Sequence, residues 1–206
     1  MVLVHVEFWF DPICPFCWMT SRWIRLVAPE RDLEITWRPI SLLFKNEMTE
    51  EYPFFERATA SLALLRVVEA ARVRVGDAVV GDLYTEFGRA IHQRQAEVDL
   101  AGVLAGLGLD ADLADAATDA AWDDVIRVHM ADALDLAGTD VGVPIIAVEG
   151  ATGRVGLFGP VLTTLPDPAQ RLRLWDGFVA MADTPGFFEL KRSRTSSPEP
   201  IADELV

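Results

Sequence analysis

The chain has 206 residues, 51% of them hydrophobic and 24% charged, enough apolar material for a sizeable core in one domain with an insertion or in two small lobes. Its formal net charge is −14, from 32 acidic and 18 basic side chains, so its surface repels both nucleic acid and anionic membrane. Basic clusters of five or more residues and apolar runs of about 18 are both lacking, so neither a nucleic-acid partner nor a membrane span is expected.

The start of the chain, Met1-Val2-Leu3-Val4-His5-Val6-Glu7, has neither the basic opening nor the apolar stretch of a secretory leader, and a cytoplasmic location is expected. Residues Val2 to Phe10 are β-branched and aromatic, as in a buried strand. Asp11-Pro12-Ile13 reads as a turn, and a helical pattern runs from Pro15 to about Val27. Leu33 to Leu42 alternates apolar and polar at first, which predicts a second strand and a right-handed parallel strand–helix–strand crossover.

From about Thr49 to Ala137 the signals are helical. Phe54 to Val75, Asp82 to Gln95, Asp99 to Gly106, Asp110 to Thr118 and Ala120 to Leu136 are the predicted helices, with Asp110 and Asp119 as N-caps. Strand character returns at Pro144 to Val148 and Arg154 to Phe158, around a turn at Glu149 to Gly153. Asp167 to Ala182 predicts a last helix, and Arg192 to Val206, rich in Ser, Pro and acidic residues, a flexible tail. The fold class is α/β with a long inserted all-α lobe.

The chemistry is concentrated at Cys14-Pro15-Phe16-Cys17, which holds the only two cysteines. The motif lies where a strand ends and a helix begins. There, free backbone N–H groups and the positive end of the helix dipole favour a thiolate on the first cysteine. The spacing lets the second sulfur close a small disulfide ring, so Cys14 reads as the nucleophile and Cys17 as the resolving thiol. A structural zinc site would need four ligands, and His5, His92 and His129 are scattered without ligand spacing. A static disulfide conflicts with a reducing compartment. Two inert core cysteines are the remaining plain reading. Gly142-Val143-Pro144-Ile145-Ile146 adds a proline at the start of a strand, which on its own is a strand-initiating residue.

Phe10 to Trp18, the helical insertion and Val143-Pro144 together resemble the DsbA-like branch of thioredoxin-fold proteins. The chain is most similar to the actinobacterial mycothiol-dependent nitroreductases, through Thr20-Ser21-Arg22-Trp23, Ser41-Leu42 with Asn46-Glu47, Ile91-His92, Phe158 to Leu162 and Phe187 to Arg192. The resemblance implies a thioredoxin-like domain of residues 1–48 and 138–191, an inserted lobe of 49–137 and a tail of 192–206. It implies a cytosolic thiol–disulfide oxidoreductase drawing electrons from mycothiol to reduce mixed disulfides or nitro-aromatic and other electrophilic compounds. No metal or flavin is expected, and a homodimer is compatible with the sequence.

By position, the resemblance makes Pro144 cis, and assigns Pro15, Phe16, Trp18, Asn46, His92, Val143 and Pro144 to the thiol site. Two residues depart from pattern. Phe16 stands where the nitroreductases have tryptophan, and Phe8 stands where thioredoxins often bury a carboxylate, leaving Asp11 and His92 as candidate proton-transfer groups. Read alone, His92 is a helix histidine, Asn46 a loop or cap residue, Trp18 a core aromatic, and Arg22 and Arg25 solvated helix residues. Competing functions are a protein-disulfide oxidoreductase or isomerase, a thiol-dependent isomerase of small aromatic compounds, and a non-catalytic interaction module.

Overall fold

In the computed structural model, which describes residues 3–150 and 153–206, the β-branched and aromatic start of the chain forms strand β1, Val4–Phe10. Val6, Phe8, Trp9 and Phe10 are buried. Helix α1 spans Pro15–Arg31, with proline at its first position, where a missing N–H costs no helical bond. Asp32, at φ 52°, turns the chain into β2, Leu33–Pro39. The Val4 N–H bonds to Asp32 O and the Ile40 N–H to Phe10 O, both at 3.0 Å. These bonds join the starts of the two strands and their ends, so the pair is parallel. The sheet order is β2-β1-β3-β4. Strand β3, Ile145–Gly150, runs antiparallel to β4, Gly153–Phe158, with Ile145 opposite Phe158 and Gly150 opposite Gly153. Val2 of the predicted first strand and Ala151 and Thr152 of the predicted turn lie outside the described residues.

The chain divides into two units. The first comprises Met1–Phe8, Pro15–Thr36 and Ala133–Val206. Within it α1 packs on α7, Pro168–Ala182, and α7 on β3 and β4. The Trp23 indole N–H donates to Arg171 O at 3.1 Å, and its ring lies 6.2 Å from that of Trp175. Asp167 and Gln170 form a capping box at the start of α7. In residues 192–206, Ile201 is buried, the Glu199 N–H donates to Thr163 O at 2.8 Å, and Arg194 lies over the Phe16 ring.

The second unit comprises Trp9–Cys14 and Trp37–Asp132. It holds α2 (Leu42–Lys45), α3 (Phe55–Val75), α4 (Ala78–Gly88), α5 (Leu100–Gly106) and most of α6 (Asp123–Ala137). The second predicted strand therefore stops early, at Pro39, and Ser41 caps α2 by accepting from the Phe44 N–H. The segment predicted as one helix over Asp82 to Gln95 starts at Ala78 and changes at Arg89 into a π-helical turn, Arg89–Gln93. Residues Ala111–Thr118 are a 3-10 helix. Asp110 makes no side-chain capping bond and faces Arg74 instead, whereas Asp119 caps through the Ala121 N–H. A buried ionic cluster ties α3 to α6: Glu69 lies 2.6 Å from Arg72 and 3.3 Å from His129. Burial opposes ionisation of Glu69, but these two partners outweigh it and hold its carboxyl below the usual range.

Candidate functional site

Asp11 builds the approach to the first cysteine. Its backbone carbonyl accepts from the Cys14 N–H at 3.0 Å, and its carboxylate accepts from the Ile13 N–H at 3.0 Å, which closes an Asx turn over Pro12. The same carboxylate accepts from the Leu42 N–H at 2.7 Å, at the start of α2, and from the Ser61 hydroxyl on α3. Asp11 is fully buried. Burial raises its pKa from 3.8 to about 6 against the opposing pull of the Ser61, Leu42 and Ile13 bonds. Four residues from three parts of the second unit thus converge on the turn that delivers Cys14.

His92 reaches the same turn from the π-helical segment. Its Nε2 lies 2.8 Å from Pro12 O. A carbonyl only accepts, so Nε2 carries the proton. Burial lowers the pKa of His92 to about 4, the Pro12 bond opposes this, and the charge of Arg57 adds to it. The imidazole is therefore neutral at pH 7 and acts on the turn as a hydrogen-bond donor, not as a cation. Bonds of i→i+5 type run through this segment, such as Arg94 N–H to Arg89 O at 3.0 Å. Asn46 is the C-cap of α2 and is exposed.

In the first unit, Pro15 and Phe16 open α1, and Cys17 and Trp18 are buried in its first turn. Both cysteines are present as buried thiols. The Arg22 guanidinium sits 4.2 Å from the Trp18 ring centroid, and its Nε donates to Ser21 Oγ at 3.2 Å. Arg22 is 1% exposed, so it is a packed cation on the face of an indole and not the solvated residue that its helical position suggests. The Val143–Pro144 and Gly159–Pro160 peptide bonds are both cis. Pro144 O accepts from the Gly159 N–H at 2.8 Å, and Pro160 O accepts from Thr20 Oγ1 at 2.7 Å. These two bonds fix the start of β3 to the end of β4, and the loop after β4 to α1.

Residues from distant parts of the chain thus gather on Asp11 and Pro12 in one unit, and on the first turns of α1 and the start of β3 in the other. Phe8 is buried as a core aromatic, and Asp11 is the buried acid of the turn before Cys14. Asp-Pro in a turn is a readable signal; its partner Ser61, fifty positions away, has no sequence signature. No group of three or more metal-ligating side chains occurs among the described residues. Among them, no helix is long and apolar enough to cross a membrane.

A family model described as mycothiol-dependent nitroreductase Rv2466c matches residues 13–192. An uncharacterized protein of Mycobacterium tuberculosis, Rv2286c, is 31% identical over 211 residues, covering 98% of this chain and 88% of its own. The cytosolic disulfide reductase DsbM from Pseudomonas aeruginosa superposes with a TM-score of 0.55 at 18% identity, over 86% of this chain and 100% of that one. A probable DsbA oxidoreductase, SCO1869 from Streptomyces coelicolor, does so with a TM-score of 0.56 at 22% identity, over 96% and 97%. The architecture is the DsbA-like thioredoxin fold.

Proposed function

The chain belongs to the Rv2466c-like mycothiol-dependent nitroreductase family, a family of thiol-dependent oxidoreductases, and from that premise we propose that it is a cytoplasmic reductase in which Cys14 and Cys17 exchange with a low-molecular-weight thiol, mycothiol by family. The observation that carries the reading is the position of Cys14. It ends a turn held by the Asp11 carboxylate and the His92 imidazole, immediately before the first residue of α1. A sulfur placed at a helix start gains from the helix dipole when it ionises, and Cys17 follows in the first helical turn.

The reaction is a sequence of thiolate displacements. The Cys14 thiolate attacks one sulfur of a mixed disulfide and forms a Cys14–substrate disulfide, and the other half leaves as a thiolate. Cys17 then attacks the Cys14 sulfur, which releases the second half and leaves a Cys14–Cys17 disulfide. Return to the dithiol takes two electrons, which two molecules of the small thiol supply as they become their own disulfide. The protein's own contributions are a fixed nucleophile, a neutral His92 that donates to the turn, and a buried carboxyl. Nitro-aromatic and other electrophilic compounds are the second substrate class to test, with Phe16 as the residue that shapes the choice. Asn46 and His92 in one unit, and Pro15, Phe16, Trp18, Val143 and Pro144 in the other, are the positions to test for binding of the thiol. DsbM was also solved with GSH, which supports a small-thiol partner for this fold.

The test is adduct mapping by tandem mass spectrometry after incubation with oxidised mycothiol, glutathione and bacillithiol in parallel. Cys17→Ser traps a mixed disulfide on Cys14, strongest with mycothiol, and Cys14→Ser lowers mycothiol-coupled reductase activity by at least about a hundredfold. Full activity in Cys14→Ser refutes the mechanism.

A further inference from the structure

Arg194 differs from the other cations of its unit. Arg31 pairs with Asp176 at 2.8 Å, Arg154 pairs with Glu7, and Arg22 is packed on the Trp18 ring away from solvent. Arg194 instead meets a ring: its guanidinium carbon lies 4.7 Å from the centroid of Phe16. Among the described residues no carboxylate pairs with it, in a chain that has 32 acidic side chains. Arg194 is exposed and Phe16 half-buried, so the guanidinium donors are accessible from solvent. Its segment is held in place further on, where the Glu199 N–H donates to Thr163 O at 2.8 Å and Ile201 is 6% exposed. Thr163 follows Pro160, whose carbonyl accepts from Thr20 Oγ1 at 2.7 Å, and Thr20 lies on α1, the helix that carries Phe16. Phe16 directly precedes Cys17 and lies two residues after Cys14, within about 7 Å along the backbone.

We propose that Arg194 is a specificity-determining residue of the redox site: its guanidinium, held on Phe16, binds a carboxylate carried by the disulfide substrate, so that anionic disulfides are reduced in preference to neutral ones of the same size. The inference rests on the reading of Cys14 as the nucleophile, and it names a substrate class for that site. A guanidinium presents five N–H donors in a plane that matches a carboxylate, and an aromatic face holds that plane without consuming the donors. A net charge of −14 otherwise repels an anion, so one placed cation decides whether a carboxylate is accepted beside the cysteines. Arg194 transfers neither proton nor electron. The Cys14 thiolate bonds to one substrate sulfur, the substrate S–S bond breaks with its electron pair on the departing thiolate, and Cys17 displaces the second half. The dithiol thereby loses two electrons, and the substrate becomes two thiols. The family match ends at residue 192, so this selectivity belongs to the chain's own C-terminal segment.

The experiment is single-turnover reduction by the pre-reduced full-length protein at pH 7, followed by stopped-flow absorbance with two probes: dithiobis(nitrobenzoate) and the corresponding neutral diamide. The quantity compared is the ratio of the two second-order rate constants, anionic over neutral. Arg194→Ala lowers this ratio about threefold, as for loss of one exposed ion pair, and Arg194→Lys restores part of it. Arg192→Ala removes the same charge from an exposed position two residues earlier and leaves the ratio near the native value. A native ratio in Arg194→Ala overturns the proposal. So does an equal fall in Arg192→Ala, since the overall charge of the segment would then be the cause. Equal slowing of both probes in Arg194→Ala also overturns it, because the guanidinium would then act on the thiol and not on the substrate. Cys14→Ser tests the underlying reading separately: if it still reduces both probes, the nucleophile is wrong, whereas an inactive Cys14→Ser beside a native ratio in Arg194→Ala sinks only the role of Arg194.

Discussion

Asp11 and His92 show how the same cause acts in opposite directions on an acid and a base. Burial favours the neutral form of each, raising the acid to about 6 and lowering the imidazole to about 4. The acid binds more protons folded than unfolded between about pH 4 and 6, so its contribution to stability falls as pH rises through that window. The imidazole binds fewer folded than unfolded between about pH 4 and 6.5, so its contribution rises over the same window and is complete above it. Each is worth roughly 3 kcal/mol at most, and together they nearly cancel. Chemical denaturation at several pH values from 4 to 6.5 checks this. Asp11→Asn exposes a stability that climbs with pH, and His92→Gln one that falls. Slopes equal to the native slope in both variants would show that neither group is buried as described. Arg22 carries the same lesson at the level of a single side chain: its helical position says nothing of the Trp18 ring beneath it, and only packing turns a surface-type residue into a core cation.

Among the elements, α4 carries a tight steric constraint from a ring. A Cβ on Gly81 would stand 2.7 Å from Trp37 Nε1 and 2.8 Å from its Cδ1. The Trp37 ring has little room to yield, since it lies 6.3 Å from Phe10 in a T-shaped pair and 5.7 Å from Tyr84. Alanine in a helix ordinarily gains up to about 1 kcal/mol over glycine. Overpacking costs about 1–3 kcal/mol, and here it wins. Gly81→Ala therefore lowers the denaturation midpoint, and adding Trp37→Phe recovers part of the loss. A Gly81→Ala protein more stable than the native one would show that the indole is free to move. The existence of α1, α3 and α7 was legible in different ways: α3 is rich in the helix formers Ala, Leu and Arg, whereas α1 and α7 carry a helical apolar pattern, with Leu172, Trp175 and Val179 near one face of α7. The π-helical turn after α4 was not. It follows from where His92 and its neighbours pack, and a local pattern does not distinguish an i→i+5 turn from the helix that it interrupts.

For the whole molecule, a net charge of −14 acts against the folded state by self-repulsion. Salt screens such repulsion, so raising sodium chloride from about 20 to about 200 mM increases the melting temperature. A decrease would mean that specific ion pairs, such as the paired contacts of Arg66 with Asp123 at 2.7 and 3.0 Å, dominate the surface term instead. By itself the sequence determined the fold class and the strand-to-helix junction on which the candidate site is built. Alternation, helical periodicity and a strand-to-helix junction are local properties, and Cys14-Pro15-Phe16-Cys17 sits on that junction. Tertiary structure alone decided what surrounds the junction: the burial of Asp11 against Ser61 and Leu42, and the neutrality of His92 against Pro12. The reason is physical. The protonation state of a side chain depends on the dielectric around it and on donors that reach it from remote segments, and neither is a property of its neighbours along the chain.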